Sequence, residues 1–351
     1  MVSRIAHDEA LRTPTADGFS MPAEWDLHAG CFISWPCREH TFREYFEDAR
    51  MAYFDVIRTI DRFDPVTVLA DPKTAPEARR KLGAEARIFE VALDDSWARD
   101  NGPIFVRRDD TRLALVNFKF NGWGHKTPWE IDDKLPVALA ERLRIRRYDA
   151  PMVLEGGSIS VDGDGTLMTT EQCLLNVNRN PSMSREEIEQ VLASYLGIRK
   201  VVWLPGGLED DMTDGHVDGV AGFVMPHVVL AGHTKDSTDP NYRILEENLA
   251  RLESTTDAKG RSLEVVRMVQ PSPIMVGRVP VTPCYVNLYL ANGAVVFPNY
   301  GIREDDLARE TLVSLFPDRE VVGIRCEHIS IGGGDVHCIT QQLPAGEPLD
   351  P

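Results

Sequence analysis

IGGGDVHCITQQLP, from Ile331 to Pro344, is the stretch on which the reading of this chain turns. Three consecutive glycines, Gly332, Gly333 and Gly334, let the backbone run close to a neighbour or ligand with no side chain in the way. Four residues on, Cys338 opens a strand-like run, Cys338-Ile339-Thr340. A cysteine at the edge of a glycine loop stands where a nucleophile stands, since a thiolate needs access and nearby positive charge or N–H dipoles. The plainer alternative is a small buried apolar residue after a tight turn. The segment alone does not separate the two, and the rest of the chain has to.

At 351 residues, 43% hydrophobic and 26% charged, the chain has an ordinary folded composition with room for a sizeable core. Its 38 basic and 55 acidic residues give a formal net charge of −17. That balance speaks against nucleic acid or an anionic membrane as partner and mildly favours a cationic substrate. Six cysteines (Cys31, Cys37, Cys173, Cys284, Cys326, Cys338) are scattered, with no CxxC pair. No apolar leader is visible in MVSRIAHDEALRTPTADG. Val217 to Gly232, the most apolar long stretch, contains Asp218, Pro226 and His227 and is too short to span a bilayer. Free thiols in a cytoplasmic protein are the expectation.

Outward from the glycine loop, short β-rich runs alternate with amphipathic helices. Residues 66–70, 86–93, 113–120, 200–204, 228–231 and 321–325 read as strands, and 21–36 as a leading strand. Apolar spacing predicts helices over 42–63 (Phe46, Met51, Phe54, Ile57, Ile60), 76–82, 134–143, 242–252 and 304–316. Ser184-Arg185-Glu186-Glu187 is a capping box opening a helix that stops at Gly197. Strands 158–161 and 167–170 pair across Asp162-Gly163-Asp164-Gly165, and Asn292-Gly293 centres a hairpin over 286–298. Neither a dinucleotide GxGxxG nor a phosphate-binding GxxxxGK[ST] is present. Polar, glycine-rich strand ends fall near residues 100, 155, 216 and 338, at intervals of roughly 55 to 70 wherever they can be marked. Such a period suggests a closed ring of similar α/β units. Residues 1–20 read as a loose lead-in and 21–345 as one domain.

Those strand ends carry chemistry. Trp97-Ala98-Arg99-Asp100 places a carboxylate in a tight turn, read either as a site or as an Asx-turn or buried Arg99–Asp100 pair. Glu155, before Gly156-Gly157, enters where core is expected, which is costly unless it is paired or functional. His216 and Asp218, two apart on a presumed strand, point to one side. His-x-Asp with a cysteine also allows a zinc reading, and a satisfied core histidine is the bland one.

Together the runs MPAEW (21–25), DDSWARDNGPIFV (94–106), FNGWGHK (120–126), LEGGSISVDGDGTLMTTEQCLLNVNRNP (154–181), WLPGG…TDGHVD (203–218) and GGGDVHCITQQLP (332–344) resemble the agmatine deiminase family. The similarity covers about residues 20 to 345, in order. It implies a five-module, pseudo-symmetric α/β propeller, the pentein fold of the guanidino-group-modifying superfamily. It implies no metal or cofactor, a small cationic guanidino substrate and a homodimer. By the same resemblance Cys338 is the nucleophile, Asp100 and Asp218 grip the guanidinium, and Glu155 and His216 move protons. Trp97, Met212 and Gly334 would border the substrate, a place in the core being equally open to Trp97. A planar cation with N–H donors in a fixed fork is indeed best held by carboxylates in its plane. Two positions depart from the family pattern. An acidic residue four before His216 and an asparagine after Asp218 are expected, where this chain has Met212 and Gly219. The expectation is a conventional guanidine end, with a preference for agmatine that is weakened or moved to another tail.

Two other classes compete with a metal-independent deiminase. One is a zinc hydrolase built on His216, Asp218 and Cys338, whose spacings match no known zinc pattern. The other is a ring-shaped protein that binds guanidines without turning them over, for which Cys338 beside a general base would be superfluous.

Overall fold

The computed structural model describes residues 12–351. Among them, five mixed sheets repeat one strand pattern. A short strand pairs antiparallel with a second, and the second pairs in parallel with a third. Parallel neighbours need a long crossover, and a helix supplies it each time. Strands Ile104–Arg108, Arg112–Lys119 and Arg147–Val153 form one set, crossed by helix Leu135–Leu143. Ser160–Val161, Thr166–Thr170 and Lys200–Leu204 form the next, with helix Arg185–Leu196. Ala221–Met225, Val228–His233 and Glu264–Val269 follow, with Tyr242–Glu253. Tyr289–Ala291, Ala294–Asn299 and Glu320–Arg325 come last, with Glu304–Leu315. The remaining sheet draws its strands from both ends of the chain. Thr340–Pro344 runs antiparallel to His28–Ser34, which is followed in parallel by Val66–Ala70 and Arg87–Glu90.

The helices form because each has one apolar stripe to bury against its sheet. Phe46–Ile60 buries Phe46, Ala49, Tyr53, Val56, Ile57 and Ile60. Met51, counted in the sequence pattern, lies off that stripe and is 48% exposed. The capping box of Arg185–Leu196 is formed, and Gly197 ends the helix at φ +74°, a conformation glycine adopts without strain.

Several expectations are corrected. Cys338 does not open a strand, because the strand begins two residues later at Thr340. His216 and Asp218 are not on a strand either. They flank Val217 at a 3-10 turn, Val217–Gly219, ahead of Ala221–Met225. The described part of the lead-in is anchored: Phe19 and Ser20 pair with Arg108 and Arg107, and Phe19 is buried. Residues 1–11 lie outside the described part. No helix among the described residues is long and apolar enough to cross a membrane.

The sheet holding His28–Ser34 and the sheet holding Tyr289–Ala291 are joined through buried polar groups as well as apolar ones. Asp64, fully buried ahead of strand Val66–Ala70, accepts from the Tyr289 hydroxyl at 2.8 Å and from Asn292 N–H at 3.1 Å. His28 Nδ1 lies 2.9 Å from the same carboxylate. The Asn292 side chain, in the hairpin turn read from the sequence, accepts from His28 N–H at 3.0 Å and donates to its carbonyl at 2.9 Å. Asp64→Ala would strand three buried groups at once. The expected loss is about 3–5 kcal/mol of stability, read as a lower midpoint in urea unfolding with an unchanged slope.

Candidate active site

Each junction between consecutive sheets delivers a polar residue to one place. Asp100 lies on the short helix Ala98–Asn101 before strand Ile104–Arg108. Glu155 follows Arg147–Val153, and His216 and Asp218 precede Ala221–Met225. Cys338 precedes Thr340–Pro344. Between the sheet that ends with Glu264–Val269 and the one that begins with Tyr289–Ala291, where the sequence offered no marker, stands Asn287.

Gly157 shows how tightly these groups converge. A Cβ there would lie 2.7 Å from Asp100 Oδ1, 2.7 Å from His216 Nδ1 and 2.9 Å from Asp218 Oδ2. Its bare N–H donates to Asp100 Oδ1 at 2.9 Å, while Trp123 Nε1 donates to Oδ2 at 2.9 Å. Asp100 therefore has a donor on each oxygen and does not pair with Arg99. Glu155, fully buried, accepts from Arg179 Nε at 2.6 Å, and its other oxygen has no partner among the described residues. That oxygen lies 4.0 Å from His216 Nε2, and His216 Nδ1 lies 3.7 Å from Asp100. Neither ring nitrogen of His216 has a hydrogen-bond partner among the described residues. The Cys338 sulfur accepts from Asn287 Nδ2 at 3.1 Å and lies 3.5 Å from Asp218 Oδ2. Asn287 Oδ1 in turn accepts from the N–H groups of His337 (3.0 Å) and Cys338 (3.3 Å), which fixes the loop.

Burial, reinforced by Asp218 and Asp100, pushes the Cys338 thiol well above its ordinary range. Burial opposes charge on His216, but Asp100, Cys173 and Glu155 outweigh it and hold the imidazole well above its usual value. Burial raises the Asp100 carboxyl despite His216 and Trp123. For Asp218 burial is overcome by His337, His216 and Arg99, and its carboxyl stays low. These surroundings favour the neutral thiol of Cys338 and the charged imidazole of His216. A cation arriving between the aspartates would relieve the charge that holds the thiol neutral.

A cavity of about 360 Å³ opens onto this cluster, with His216, Asp218, Cys338, Gly334, Met212 and Gly219 on its wall. Asp100 and Glu155 lie one layer deeper. Trp97, expected beside a substrate, is instead buried beneath the glycine run. Its ring would lie 2.7 Å from a Cβ at either Gly332 or Gly334, and it packs on Phe42. Glycine is required at 334 because that Cβ would also fall 2.9 Å from the Cys338 sulfur. A Cβ at Gly219 would meet nothing within 4 Å. Asp335, also on the wall, accepts from Tyr300 (2.7 Å) and Ser330 (2.6 Å), and burial pushes its carboxyl up to about 8. Glu209 and Asp210 stand exposed on the same wall. Asp211 is spent on Thr213, Gly215 and His216 of its own loop.

The zinc reading loses its ligands. Among the described residues the donors that gather within 4.8 Å are those of Glu155, Cys173 and His216, not the proposed His216, Asp218 and Cys338. Sequence reasoning missed Arg179, Trp123 and Asn287. The first two lie inside the quoted motifs NVNRNP and FNGWGHK, whereas nothing marks Asn287.

Residues 20–344 match the Porphyromonas-type peptidyl-arginine deiminase family. Agmatine deiminase of Medicago truncatula is 43% identical over 367 residues, covering 95% of this chain and 98% of that protein. A structure of agmatine deiminase of Enterococcus faecalis superposes with a TM-score of 0.92 at 35% identity, covering 95% of this chain and 98% of that one. A dimethylarginine dimethylaminohydrolase adduct with 4-chloro-2-hydroxymethylpyridine shares the fold alone. Its TM-score is 0.53 at 14% identity, covering 90% of this chain and 100% of that one.

Gly334→Ala is expected to keep the secondary structure, lower the melting temperature and cut kcat/KM by about a hundredfold or more, because the new methyl presses on both the Trp97 ring and the Cys338 sulfur. Circular dichroism with steady-state kinetics checks it. Neutralising a charge that raises the thiol should bring the thiol down. Asp218→Asn should therefore speed iodoacetamide alkylation of Cys338 at fixed neutral pH by roughly threefold or more. Peptide mapping gives the rate, and an unchanged or slower rate removes the carboxylate as the cause.

Proposed function

Because the chain belongs to the Porphyromonas-type peptidyl-arginine deiminase family, within its agmatine deiminase group, we propose that it hydrolyses agmatine to N-carbamoylputrescine and ammonia. It is a hydrolase of a guanidino C–N bond, and its product lies on the route to putrescine. The single observation that carries the reading is the convergence of Cys338, His216, Asp100 and Asp218 on the volume facing Gly157.

In this reading Asp100 and Asp218 hold the guanidinium nitrogens in plane. Once the cation neutralises both aspartates, the Cys338 thiol releases its proton to solvent, and the thiolate attacks the central carbon beside a His216 that is still protonated. The tetrahedral adduct breaks one C–N bond, His216 protonates the leaving nitrogen, and ammonia departs from an amidino-thioether. Glu155, fixed by Arg179, keeps its free oxygen beside the imidazole as it loses and regains its proton. Water, deprotonated by His216, then attacks the same carbon. The C–S bond breaks, releasing the ureido product and free Cys338.

Met212 cannot pair with the ammonium at the far end of agmatine, but the cavity wall offers the exposed carboxylates of Glu209 and Asp210. The tail is recognised there, so the weakened preference expected from Met212 is not retained. We read the five like-patterned sheets as five blades around the site, supported by the residue that each junction contributes. A homodimer in a reducing cytoplasm, with the six cysteines unpaired, completes the proposal.

The test is an ammonia-release assay comparing agmatine with arginine, a guanidino acid and a neutral alkylguanidine. Agmatine should lead all three in kcat/KM by more than about a hundredfold, roughly 2.7 kcal/mol of transition-state discrimination. In the same assay Cys338→Ser should lose several powers of ten, and quenched His216→Gly should show an amidino adduct on Cys338 by mass spectrometry. Substantial turnover by the serine variant excludes the covalent route.

A further inference from the structure

One motif has no task in this mechanism: MPAEW, with Glu24. Glu24 is far in sequence from every reacting group, yet its carboxylate meets His337, the residue before Cys338. The His337 ring is buried, with Nδ1 2.8 Å from Asp218 Oδ2 and Nε2 2.9 and 3.1 Å from the two Glu24 oxygens. Ionised carboxylates only accept, so an imidazole held between two of them carries a proton on each nitrogen. Arg99 stands close as well, a second cation that works against charge on the ring while pairing with the same Glu24. Arg99 NH1 lies 3.4 Å from Glu24 Oε1, and Arg99 Nε donates to the His337 carbonyl at 3.4 Å. His28 also faces Glu24. On its far side Asp218 faces His216, Asp100 and the Cys338 sulfur.

The use of Asp218's two oxygens gives this arrangement its meaning. Oδ2 serves both His337 and Cys338, while Oδ1 makes no protein hydrogen bond among the described residues and Asp218 borders the cavity. We propose that Glu24 and His337 form a positioning relay, in which the imidazolium, clamped by Glu24, takes one oxygen of Asp218 and presents the other, ionised, to the guanidinium. The proposal rests on the guanidine-hydrolysis reading. His337 touches no substrate and acts only through Asp218.

The charges agree with the geometry. Burial would raise the Glu24 carboxyl, but His337 and Arg99 bring it to about 2. Burial and Arg99 disfavour charge on His337, yet Glu24 and Asp218 hold it above its ordinary value. The sign of the effect follows. An Asp218 whose folded pKa is depressed by the imidazolium stays ionised as pH falls. Without that cation it takes up a proton at higher pH, and guanidinium binding fades earlier on the acid side. A mere strut between Glu24 and Asp218 would affect stability but not the pH at which binding is lost.

The experiment uses Cys338→Ser, which lacks the nucleophile and holds agmatine unreacted, and follows Kd by calorimetry from about pH 5 to about pH 8. Adding His337→Gln, which keeps a donor but no charge, should weaken binding by roughly tenfold or more near pH 6, with the gap narrowing toward pH 8. Adding Glu24→Gln, a milder change that leaves His337 an acceptor, should shift the acid limb the same way by less. It is the readout if the His337 variant does not fold. A Kd–pH curve superimposable on that of Cys338→Ser, whatever the melting temperature, overturns the relay. Failure of Cys338→Ser itself to bind agmatine overturns the substrate reading beneath it.

Discussion

Three carboxylates held beside one thiol, away from water, would repel one another and take up protons if left alone. Much of the polar architecture answers that constraint. Glu155 is paired with Arg179, Asp218 with His337, and Asp100 with the N–H groups of Gly157 and Trp123. Each partner differs in kind: a guanidinium, an imidazolium and two neutral dipoles. The charge left on each acid differs accordingly, and one cluster can bind a cation and move protons at the same time.

The scaffold that holds this cluster is assembled over long distances. Strands His28–Ser34 and Thr340–Pro344, from opposite parts of the chain, share a sheet, and the second brings Cys338 in beside residues that fold far earlier in the sequence. The entropy of closing so long a loop grows only as the logarithm of its length. Pairings of this kind slow folding more than they weaken the product. The buried links among Asp64, His28, Tyr289 and Asn292 act at the same seam.

Much of the local structure was legible. Strands over 66–70 and 200–204, the Ser184 capping box and the Asn292-Gly293 turn stand where local chemistry puts them. These features depend on neighbours a few residues apart, and a sequence displays such neighbours directly. The residues proposed to react were legible through motifs rather than geometry. The strand assigned to His216 and Asp218 was wrong although the two do meet, because a 3-10 turn can also bring alternate residues together. What stayed hidden was partnership across the fold. That Arg179 would answer Glu155, or Glu24 reach His337, depends on how sheets pack, and no local period encodes it. Asn287 carries no local signal at all, and only its place at a sheet junction gives it meaning.

Gly219 holds a different kind of information. It follows Asp218 directly, borders the cavity, and has open space where a side chain would begin. New groups there can alter which molecules fit without disturbing the acids, the thiol or their partners. Selectivity and chemistry are therefore separable in this molecule: a side chain placed at 219 would reshape the mouth of the cavity and leave the groups behind it where they are.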